Sequence, residues 1–511
     1  DLLAFELGIR IGHPSSVMCS YNKVMGDWAC ENDWLLNHVL KGAWHFPGFV
    51  VSDWDGTHST EKAAMAGLDV QMPGEEYFGE ALKRAVTSGR VPMRRLDDMV
   101  HRVLRSMFSA GIVDHPVTPR TVIDPFRGLE DAQHIAEESI VLLKNDGTLP
   151  LIADSVRSIA VIGAHADVGV LSGGGSAQVD APGGNAVSPA TPTKWGEAVY
   201  FPSPPLRYIR EHAQGADVRF DPGTNASSAA SLAKSADVAV VFADQYMSEA
   251  GDSPTLSLPG KQNELISAVA AANPHTIVVL VTGNPVTMPW IDHVAGVMEA
   301  WYPGIGGGQA IANLLFGSVV PSGKLPITFA RSAADLPHER IFGATVSSAD
   351  GDSSGYWVAD DPKRPSFAAD YNEGARFGYK WFDSEGRKPL FPFGYGLSYT
   401  KFKYSGLHVD PTAKTVTFTI ENTGTVSGAE IAEVYVGLPK ASGERFRRLA
   451  AWQRVPLNSG QQKAVTVPLE PLAIASFDEK KDAWSWPHGK YTVLVGGSSR
   501  DLPLQAEVVL Y

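Results

Sequence analysis

The stretch Gly48-Phe-Val-Val-Ser-Asp-Trp54 is the segment around which the fold of this chain is organised. Its apolar residues, bounded by Pro47 and Gly56, predict a short strand over Phe49–Ser52 that is buried on both faces, as in a parallel sheet. The strand ends at Asp53, and packing does not explain that residue, because burying an unpaired carboxylate costs several kcal/mol. In parallel α/β proteins, residues that carry out chemistry lie at the carboxyl ends of strands. Asp53 is therefore a candidate catalytic residue, and the alternative is a cap for a helix over residues 59–67.

The residues around this strand alternate between short buried strands and helices. A second strand is predicted at 17–20, and apolar residues at helical spacing predict helices at 33–41, 77–88 and 93–110. Gly111 ends the last of these helices. The alternation indicates the C-terminal part of a (β/α)8 barrel over residues 1–112, followed by a polar linker over residues 113–130.

The middle of the chain predicts a second α/β domain over residues 131–345. A helix is expected at 132–143 with a turn after it, and four apolar, β-rich runs follow at 159–163, 238–243, 276–282 and 296–300. Helical stretches separate the runs, at 226–235, 261–272 and 308–316. This order indicates an α/β sandwich with a mostly parallel sheet.

The last part of the chain changes to a period of two. Residues 346–398 are polar and irregular, and short alternating strands separated by turns follow over residues 399–511. This pattern predicts an all-β sandwich similar to a fibronectin type III domain. The predicted fold class is therefore α/β multidomain, with part of a barrel, an α/β sandwich and a fibronectin type III-like β-sandwich.

Composition narrows the classes of partner. The 511 residues carry a formal net charge of −13, which argues against nucleic acid and anionic membrane surfaces. No apolar run is long enough for a membrane-spanning helix. Cys19 and Cys30 are the two cysteines of the chain, and both two free thiols and one disulfide remain open. No zinc-type spacing occurs, so no metal site is predicted.

Two glycine-rich loops, Ser172–Ser176 and Gly304–Gly308, invite a nucleotide-binding interpretation. Neither has the Lys-Ser/Thr ending of a phosphate loop or the dinucleotide fingerprint with its later acid. A tight loop beside a ligand or another backbone is the better interpretation.

Short motifs along nearly the whole chain follow the order found in one known family. They are Ser16–Asn22, Cys30–Asn32, Gly48–Trp54, Ala66–Asp69, Met72–Gly74, Val141–Asp146, Leu256–Gln262, Trp301–Gly304, Pro321–Pro326 and Phe391–Tyr399. This succession resembles glycoside hydrolase family 3, the family of many β-glucosidases. The resemblance implies that Asp53, in the Ser-Asp-Trp motif, is the nucleophile.

The resemblance also places the acid/base in the loop before Leu256–Gln262. Glu249 matches the family pattern there, while Asp244 and Asp252 are competing acids. Family members often carry an Arg where this chain has Ser253, so any ion pair made by that Arg is missing here.

Substrate-binding residues are implied by the same resemblance. Trp54, Tyr21 and Met18 match positions that line the sugar pocket, and the loop Ser172–Gln178 matches a wall of that pocket. A Met or an aromatic residue at a strand end is also common in a protein core, and this alternative stays open.

The activity implied is that of an exo-acting, retaining β-glycosidase, first of all a β-glucosidase acting on β-glucosides or cello-oligosaccharides by double displacement without a cofactor. The alternatives are a β-xylosidase or exo-β-glucanase of the same family, and a non-catalytic carbohydrate-binding fragment. The first half of the barrel is expected as roughly two hundred further residues, on this chain or a separate one. We also expect a periplasmic or secreted location, and a homo-oligomer is an open alternative.

Overall fold

The computed structural model describes most of the chain. The described residues are 2–118, 124, 126–176, 178, 192–193, 196–197, 200–201, 203–249, 251–253, 255–339, 357–358 and 368–510. Residues 119–123 and 125 of the predicted linker, residues 346–356 and 359–367 of the predicted connection, and Ala177 of the loop at 172–178 lie outside them. The chain folds as two compact units, Asp1–Val122 and Ile123–Tyr511. No helix in the described ranges has the length and apolar character needed to cross a lipid bilayer.

The first unit contains helices packed on one face of a pair of parallel strands. Its helices are α1 (Leu3–Gly12), a π-helix (Trp34–Ala43), α2 (Glu61–Ala66), α3 (Glu80–Thr87) and α4 (Met93–Ser109). Its strands are β1 (Ser16–Cys19), β2 (Lys23–Val24), β3 (Asp27–Trp28) and β4 (Phe49–Ser52). β1 and β4 run parallel and pair from Ser16 with Phe49 to Cys19 with Ser52. The strand predicted at 49–52 is thus confirmed.

Alternation along β1 and β4 gives the pair a packed face and a more open face. Cys19 and Val50 point into the cluster formed with the helices and are 5% and 0% exposed. Met18, which is paired with Val51, lies on the other face and is exposed. Because side chains alternate along a strand, Asp53 lies on the same face as Val51 and Met18.

A buried ion-pair network holds β4 in place. Asp69 accepts a hydrogen bond from the Val50 N–H at 2.8 Å and contacts Lys41 Nζ at 2.8 Å and the Arg95 guanidinium at 2.7 Å. The Asp69 side chain has no exposed surface. Burial lowers the pKa of Lys41 to about 8, against the effect of the nearby carboxylate. The motif Ala66–Asp69 therefore fixes the strand that directly precedes Asp53.

The two cysteines form a disulfide, which is one of the two alternatives that the sequence left open. Cys19 ends β1, Cys30 lies in the 3₁₀ turn Ala29–Glu31, and their Cα atoms are 5.2 Å apart. The bond closes a loop that contains Tyr21 and the hairpin of β2 and β3.

The second unit begins with a six-stranded α/β sandwich. Its helices are α5 (Leu129–Ser139), α6 (Pro205–His212), α7 (Ala226–Lys234), α8 (Gln262–Ala272), α9 (Gly307–Leu315) and α10 (Tyr379–Ser384). Its strands are β5 (Val141–Asn145), β6 (Ser158–Ile162), β7 (Gly169–Val170), β8 (Pro192–Thr193), β9 (Gly196–Glu197), β10 (Tyr200–Phe201), β11 (Asp217–Asp221), β12 (Val238–Gln245), β13 (Gly251–Asp252), β14 (Thr276–Thr282), β15 (Gly296–Glu299) and β16 (Trp357–Val358). The main sheet has the order β11-β6-β12-β14-β15-β5.

Helices cover both faces of this sheet, which explains why its strands are apolar throughout. Helices α5, α6 and α9 share one core with the sheet, and α7 and α8 share the other. All seven residues of β14 are buried. Strands buried on both faces are typical of parallel sheets, and five of the six strands run parallel, as predicted.

The prediction of a helix over 132–143 was wrong at its C-terminal end. α5 stops at Ser139, Ile140 is extended, and Val141–Asn145 forms the edge strand β5, antiparallel to β15. Val141, Leu142 and Leu143 are all buried, because the sheet has a core on each face. A continuous apolar run fits a buried strand as well as a buried helix, and only the sheet partner decides between them.

The end of the second unit is a β-sandwich. Its strands are β17 (Phe402–Asp410), β18 (Thr415–Asn422), β19 (Gly428–Gly437), β20 (Arg447–Leu457), β21 (Gln462–Pro468), β22 (Ser476–Asp478), β23 (Ala483–Ser485), β24 (Lys490–Gly496) and β25 (Leu504–Val509). An antiparallel sheet β17-β18-β21 packs on a second one, β20-β19-β24-β25. Val416, Phe418 and Ile420 alternate into the shared core, each 0% exposed.

Candidate active site

Asp53 lies at the carboxyl end of β4 in the first unit. Its N–H donates to the Cys19 carbonyl oxygen at 3.1 Å, which continues the parallel pairing by one residue. Its Oδ1 accepts a hydrogen bond from the Trp54 N–H at 2.7 Å. The Gly56 N–H donates to the Asp53 carbonyl oxygen at 3.0 Å and closes a turn directly after it. The carboxylate is thus half-buried on a rigid strand end, with one oxygen held by the backbone.

The serine of the Ser-Asp-Trp motif has a structural role. Ser52 is fully buried, and its Oγ accepts a hydrogen bond from the Met72 N–H at 2.9 Å. The Ser52 N–H donates to the Val70 carbonyl oxygen at 2.9 Å. The residues that follow Asp69 therefore lie beside β4 and fix its last residue.

The three predicted substrate-binding side chains are all exposed. Met18, Tyr21 and Trp54 have exposed fractions of 53%, 46% and 52%. Met18 shares the open face of the strand pair with Asp53, Trp54 is adjacent to Asp53 in the chain, and Tyr21 follows the end of β1. Exposed aromatic rings provide flat apolar surfaces on which a sugar ring can pack. Their contact with substrate stays a prediction.

Glu249 lies in the second unit, in the turn that follows β12. Its Oε2 accepts two hydrogen bonds from Ser176, from the N–H at 2.6 Å and from the hydroxyl at 2.5 Å. The Glu249 N–H donates to the Gly174 carbonyl oxygen at 3.1 Å, and the Gly174 N–H donates to the Met247 carbonyl oxygen at 3.0 Å. Backbone hydrogen bonds therefore join the glycine-rich loop to the Glu249 turn.

This close approach explains the glycines in the loop Ser172–Ser176. A Cβ atom at Gly174 would lie 2.1 Å from the Tyr246 hydroxyl oxygen and 2.8 Å from the Ser248 hydroxyl oxygen. The loop is thus the tight loop beside another backbone that the sequence suggested.

Two motif residues hold the base of the Glu249 turn. The Gln262 side chain accepts from the Asp244 N–H and donates to the Asp244 carbonyl oxygen, both at 2.8 Å. The Tyr302 hydroxyl accepts from the Met247 N–H at 2.7 Å and donates to the Gln245 carbonyl oxygen at 2.6 Å. Around the turn lies a cleft of about 400 Å³, lined by Ser172, Gly173, Gly174, Met247, Ser248, Glu249, Thr282, Gly283, Trp301 and Tyr302.

The competing acids take other positions. Asp244 belongs to β12 itself, and its Oδ2 lies 3.5 Å from His165 Nε2. Burial raises the pKa of Asp244, and the neighbouring His165 opposes this change. Asp252 lies in β13, whose backbone pairs with β16. Glu249 remains the candidate whose carboxylate borders the cleft.

A buried acid that the sequence analysis did not single out lies beneath this cleft. Glu299 ends β15, is 0% exposed, and accepts a hydrogen bond from the Trp301 N–H at 3.0 Å. Burial raises the pKa of Glu299 to about 8, because it disfavours the charged form more than the local hydrogen bonds favour it. The signal was an acid at the end of an apolar strand, the same signal that identified Asp53.

The residues that hold Glu249 and its turn were harder to identify from the sequence. Tyr302 lies in one of the family motifs, and Ser176 ends a glycine-rich loop. Neither feature of the sequence predicts which turn the residue contacts. Within the described parts of the chain, no group of three or more His, Cys, Asp or Glu side chains is placed to hold a metal ion.

Family models cover most of the chain. Residues 1–106 match the glycosyl hydrolase family 3 N terminal domain, residues 140–399 match the glycosyl hydrolase family 3 C-terminal domain, and residues 430–499 match a fibronectin type III-like domain. These matches confirm the predicted fold class.

Two curated relatives match nearly the whole chain. Thermostable β-glucosidase B of Acetivibrio thermocellus is 35% identical over 520 residues, which span 99% of this chain and 64% of that protein. An exo-α-(1→6)-L-arabinopyranosidase of Bifidobacterium breve is 35% identical over 538 residues, which span 99% of this chain and 65% of that protein. This chain therefore spans slightly less than two thirds of the length of either relative.

A solved structure shares the fold. The β-glucosidase DesR from Streptomyces venezuelae, in complex with D-glucose, superposes with a TM-score of 0.85 at 30% identity over 100% of this chain and 78% of that chain. The order of motifs, the domain matches and this similarity agree, and the resemblance seen in the sequence is confirmed. The chain belongs to glycoside hydrolase family 3.

Proposed function

We propose that this chain provides the nucleophile and the acid/base of an exo-acting, retaining β-glycosidase. Its substrates are β-glucosides or cello-oligosaccharides, from which it releases glucose at the non-reducing end. The observation that supports this proposal most is that Asp53 directly follows the parallel strand β4 and Glu249 lies in the turn after the parallel strand β12, where the chemistry of α/β folds is placed. The relative named β-glucosidase B supports glucose as the sugar.

In the first step of the proposed mechanism, an Asp53 oxygen attacks the anomeric carbon. The bond from that carbon to the glycosidic oxygen breaks, and Glu249 gives its proton to the departing oxygen. In the second step, Glu249 takes a proton from water and the water oxygen bonds to the anomeric carbon. The bond to Asp53 then breaks, and glucose leaves with the configuration of the substrate. The mechanism needs no cofactor.

Local contacts suit both roles. The Trp54 N–H binds Oδ1 of Asp53 and fixes the rotation of the carboxylate, so that Oδ2 is the attacking atom. Ser176 directs both of its donors at one Glu249 oxygen, Oε2, which fixes the orientation of that carboxyl group. Trp54 and Tyr21 are proposed to stack on the sugar, with Met18 beside them.

A second substrate class is favoured by one observation. The relative named exo-α-(1→6)-L-arabinopyranosidase matches this chain at the same 35% identity as β-glucosidase B. We therefore include an α-L-arabinopyranoside in the test.

The test compares three substrates on the intact natural protein, whose mass is measured first. They are the 4-nitrophenyl β-D-glucoside, β-D-xyloside and α-L-arabinopyranoside. We expect the glucoside to have the highest kcat/KM, and proton NMR to show β-glucose as the first product. A preference for either other sugar would overturn the glucosidase assignment, and α-glucose as first product would overturn the retaining mechanism. Absence of turnover on all three would favour a non-catalytic carbohydrate-binding protein.

A further inference from the structure

A single side chain, that of Tyr302 just after β15, bonds both sides of the turn that carries Glu249. Beyond Gln245, where β12 ends, the turn leaves the main sheet. The Tyr302 hydroxyl bonds both sides of the turn, donating to the Gln245 carbonyl oxygen at 2.6 Å and accepting from the Met247 N–H at 2.7 Å. The Tyr302 hydroxyl oxygen thus provides the hydrogen bonds that a neighbouring strand would otherwise give to these two backbone groups.

Tyr302 is itself held by the buried end of β15. Trp301, the residue before it, has a φ of 53°, which is uncommon for a bulky side chain and requires local support. The support is the hydrogen bond from the Trp301 N–H to the Glu299 carboxyl group at 3.0 Å. Because Glu299 has no exposed surface, this hydrogen bond anchors the backbone before Tyr302 to the core of the domain.

Glycines on two sides make room for the tyrosine ring. A Cβ atom at Gly173 would lie 2.9 Å from Tyr302 Cε2 and 2.7 Å from the Met247 carbonyl oxygen. A Cβ atom at Gly283 would lie 2.9 Å from the Tyr302 hydroxyl oxygen and 2.8 Å from Met247 Cγ. The ring and the turn therefore have one tightly packed arrangement.

We propose that Tyr302 is a positioning residue for the acid/base: its hydroxyl fixes the Gln245–Glu249 turn and so directs the Glu249 carboxyl group at the leaving oxygen. This inference rests on the proposed function of Glu249. Small displacements of a catalytic group are costly, since a shift of about 1 Å can lower a rate by about a hundredfold.

The test uses Tyr302→Phe in the intact enzyme, with a matched pair of β-glucosides. Phenyl β-glucoside has a poor leaving group that needs a proton, whereas 2,4-dinitrophenyl β-glucoside has a good one that does not. The ratio kcat/KM reports the first chemical step. We expect it to fall about tenfold or more for the phenyl substrate and to change within about twofold for the dinitrophenyl substrate.

Tyr399→Phe is the matched control. The Tyr399 hydroxyl also donates to a backbone carbonyl oxygen of the same unit, that of Leu314, at 2.7 Å. Its loss should lower the melting temperature by a similar amount and leave the ratio between the two substrates unchanged. If Tyr302→Phe lowers kcat/KM equally for both substrates, its role is merely structural and the inference is overturned.

Glu249→Gln tests the acid/base assignment separately from the positioning role of Tyr302. It should show the same selectivity as Tyr302→Phe, to a greater degree. If Glu249→Gln is selective and Tyr302→Phe is not, the positioning inference alone falls. If Glu249→Gln lacks the selectivity, the acid/base assignment and the inference both fall.

Discussion

Replacing Glu299 with glutamine is expected to stabilise the protein near neutral pH and to change its stability little at pH 5. Glu299 is fully buried, and burial raises its pKa from 4.5 to about 8. Between these values the folded protein keeps a proton that the unfolded chain has released. A raised pKa of an acid contributes stability that is complete below about pH 4.5 and is lost as the pH rises toward 8.

The hydrogen bonds around Glu299 agree with a protonated group. The Thr282 hydroxyl oxygen lies 3.1 Å from Glu299 Oε2 and 2.9 Å from the Asn284 carbonyl oxygen. A hydroxyl group has one hydrogen, so when Thr282 donates to Asn284, a protonated Glu299 can donate to Thr282. The amide of a glutamine can do the same, and its oxygen can still accept from the Trp301 N–H.

The size of the effect follows from linkage. One bound proton changes the free energy of unfolding by about 1.4 kcal/mol per pH unit. From pH 5 to pH 7 the wild type should therefore lose about 2.5 kcal/mol relative to Glu299→Gln. For a domain of this size, that difference corresponds to roughly 5–10 °C in melting temperature.

The assay is thermal unfolding of the wild type and of Glu299→Gln at pH 5, 6 and 7. Other buried acids, such as Glu433, whose pKa burial raises to about 7, titrate in both proteins and cancel in the difference. Glu264→Gln, on the exposed side of α8, controls for the loss of one carboxyl group. A difference between Glu299→Gln and the wild type that stays constant from pH 5 to pH 7 would refute the reasoning.

Three further changes test other parts of the structure. Asp69→Ala leaves the buried Lys41 without its carboxylate and Arg95 with Asp98 alone, and it should lower the free energy of unfolding by about 3–5 kcal/mol in urea titrations. A loss below about 1 kcal/mol would contradict the network. Replacing Cys19 and Cys30 with alanine opens a loop with a sequence separation of 11 and should cost about 3 kcal/mol in the same titrations, and an unchanged midpoint would argue against the disulfide. Gly174→Ala should displace the Glu249 turn and lower kcat/KM on phenyl β-glucoside about tenfold or more. The control Gly215→Ala, at a position with open space around it, should leave kcat/KM unchanged, and equal rates for the two variants would contradict the close packing of the two loops.

Short apolar strands bounded by turn residues could be predicted from the sequence. The strand Phe49–Ser52 and the strand Thr276–Thr282 have the expected bounds, because each is a short β-rich run with turn residues around it. The prediction of a helix at Val141, Leu142 and Leu143 was wrong, because these residues belong to the strand Val141–Asn145. Its apolar residues continue the spacing of α5, and the strand exists only because β15 pairs with it.

The candidate site could be predicted less completely. The position of a carboxylate at a strand end makes Asp53 a catalytic candidate, whereas its role as nucleophile and the choice of Glu249 follow from the family resemblance. The contacts of Glu249 join residues far apart in the chain, 73 positions in the case of Ser176. Glu299 ended an apolar run that was recognised as a strand, but its complete burial depends on the helices packed on both faces of the sheet.

The central claim is that Asp53 is the nucleophile, and trapping the covalent intermediate tests it most directly. In 2-deoxy-2-fluoro-β-D-glucosyl fluoride, the fluorine at C2 slows both chemical steps, while the fluoride leaving group keeps the first step fast enough for the glycosyl-enzyme to accumulate. We predict one fluoroglucosyl group per chain by intact mass, on the peptide that contains Asp53. A label on a peptide without Asp53, or no label on an enzyme that hydrolyses β-glucosides, would contradict the account.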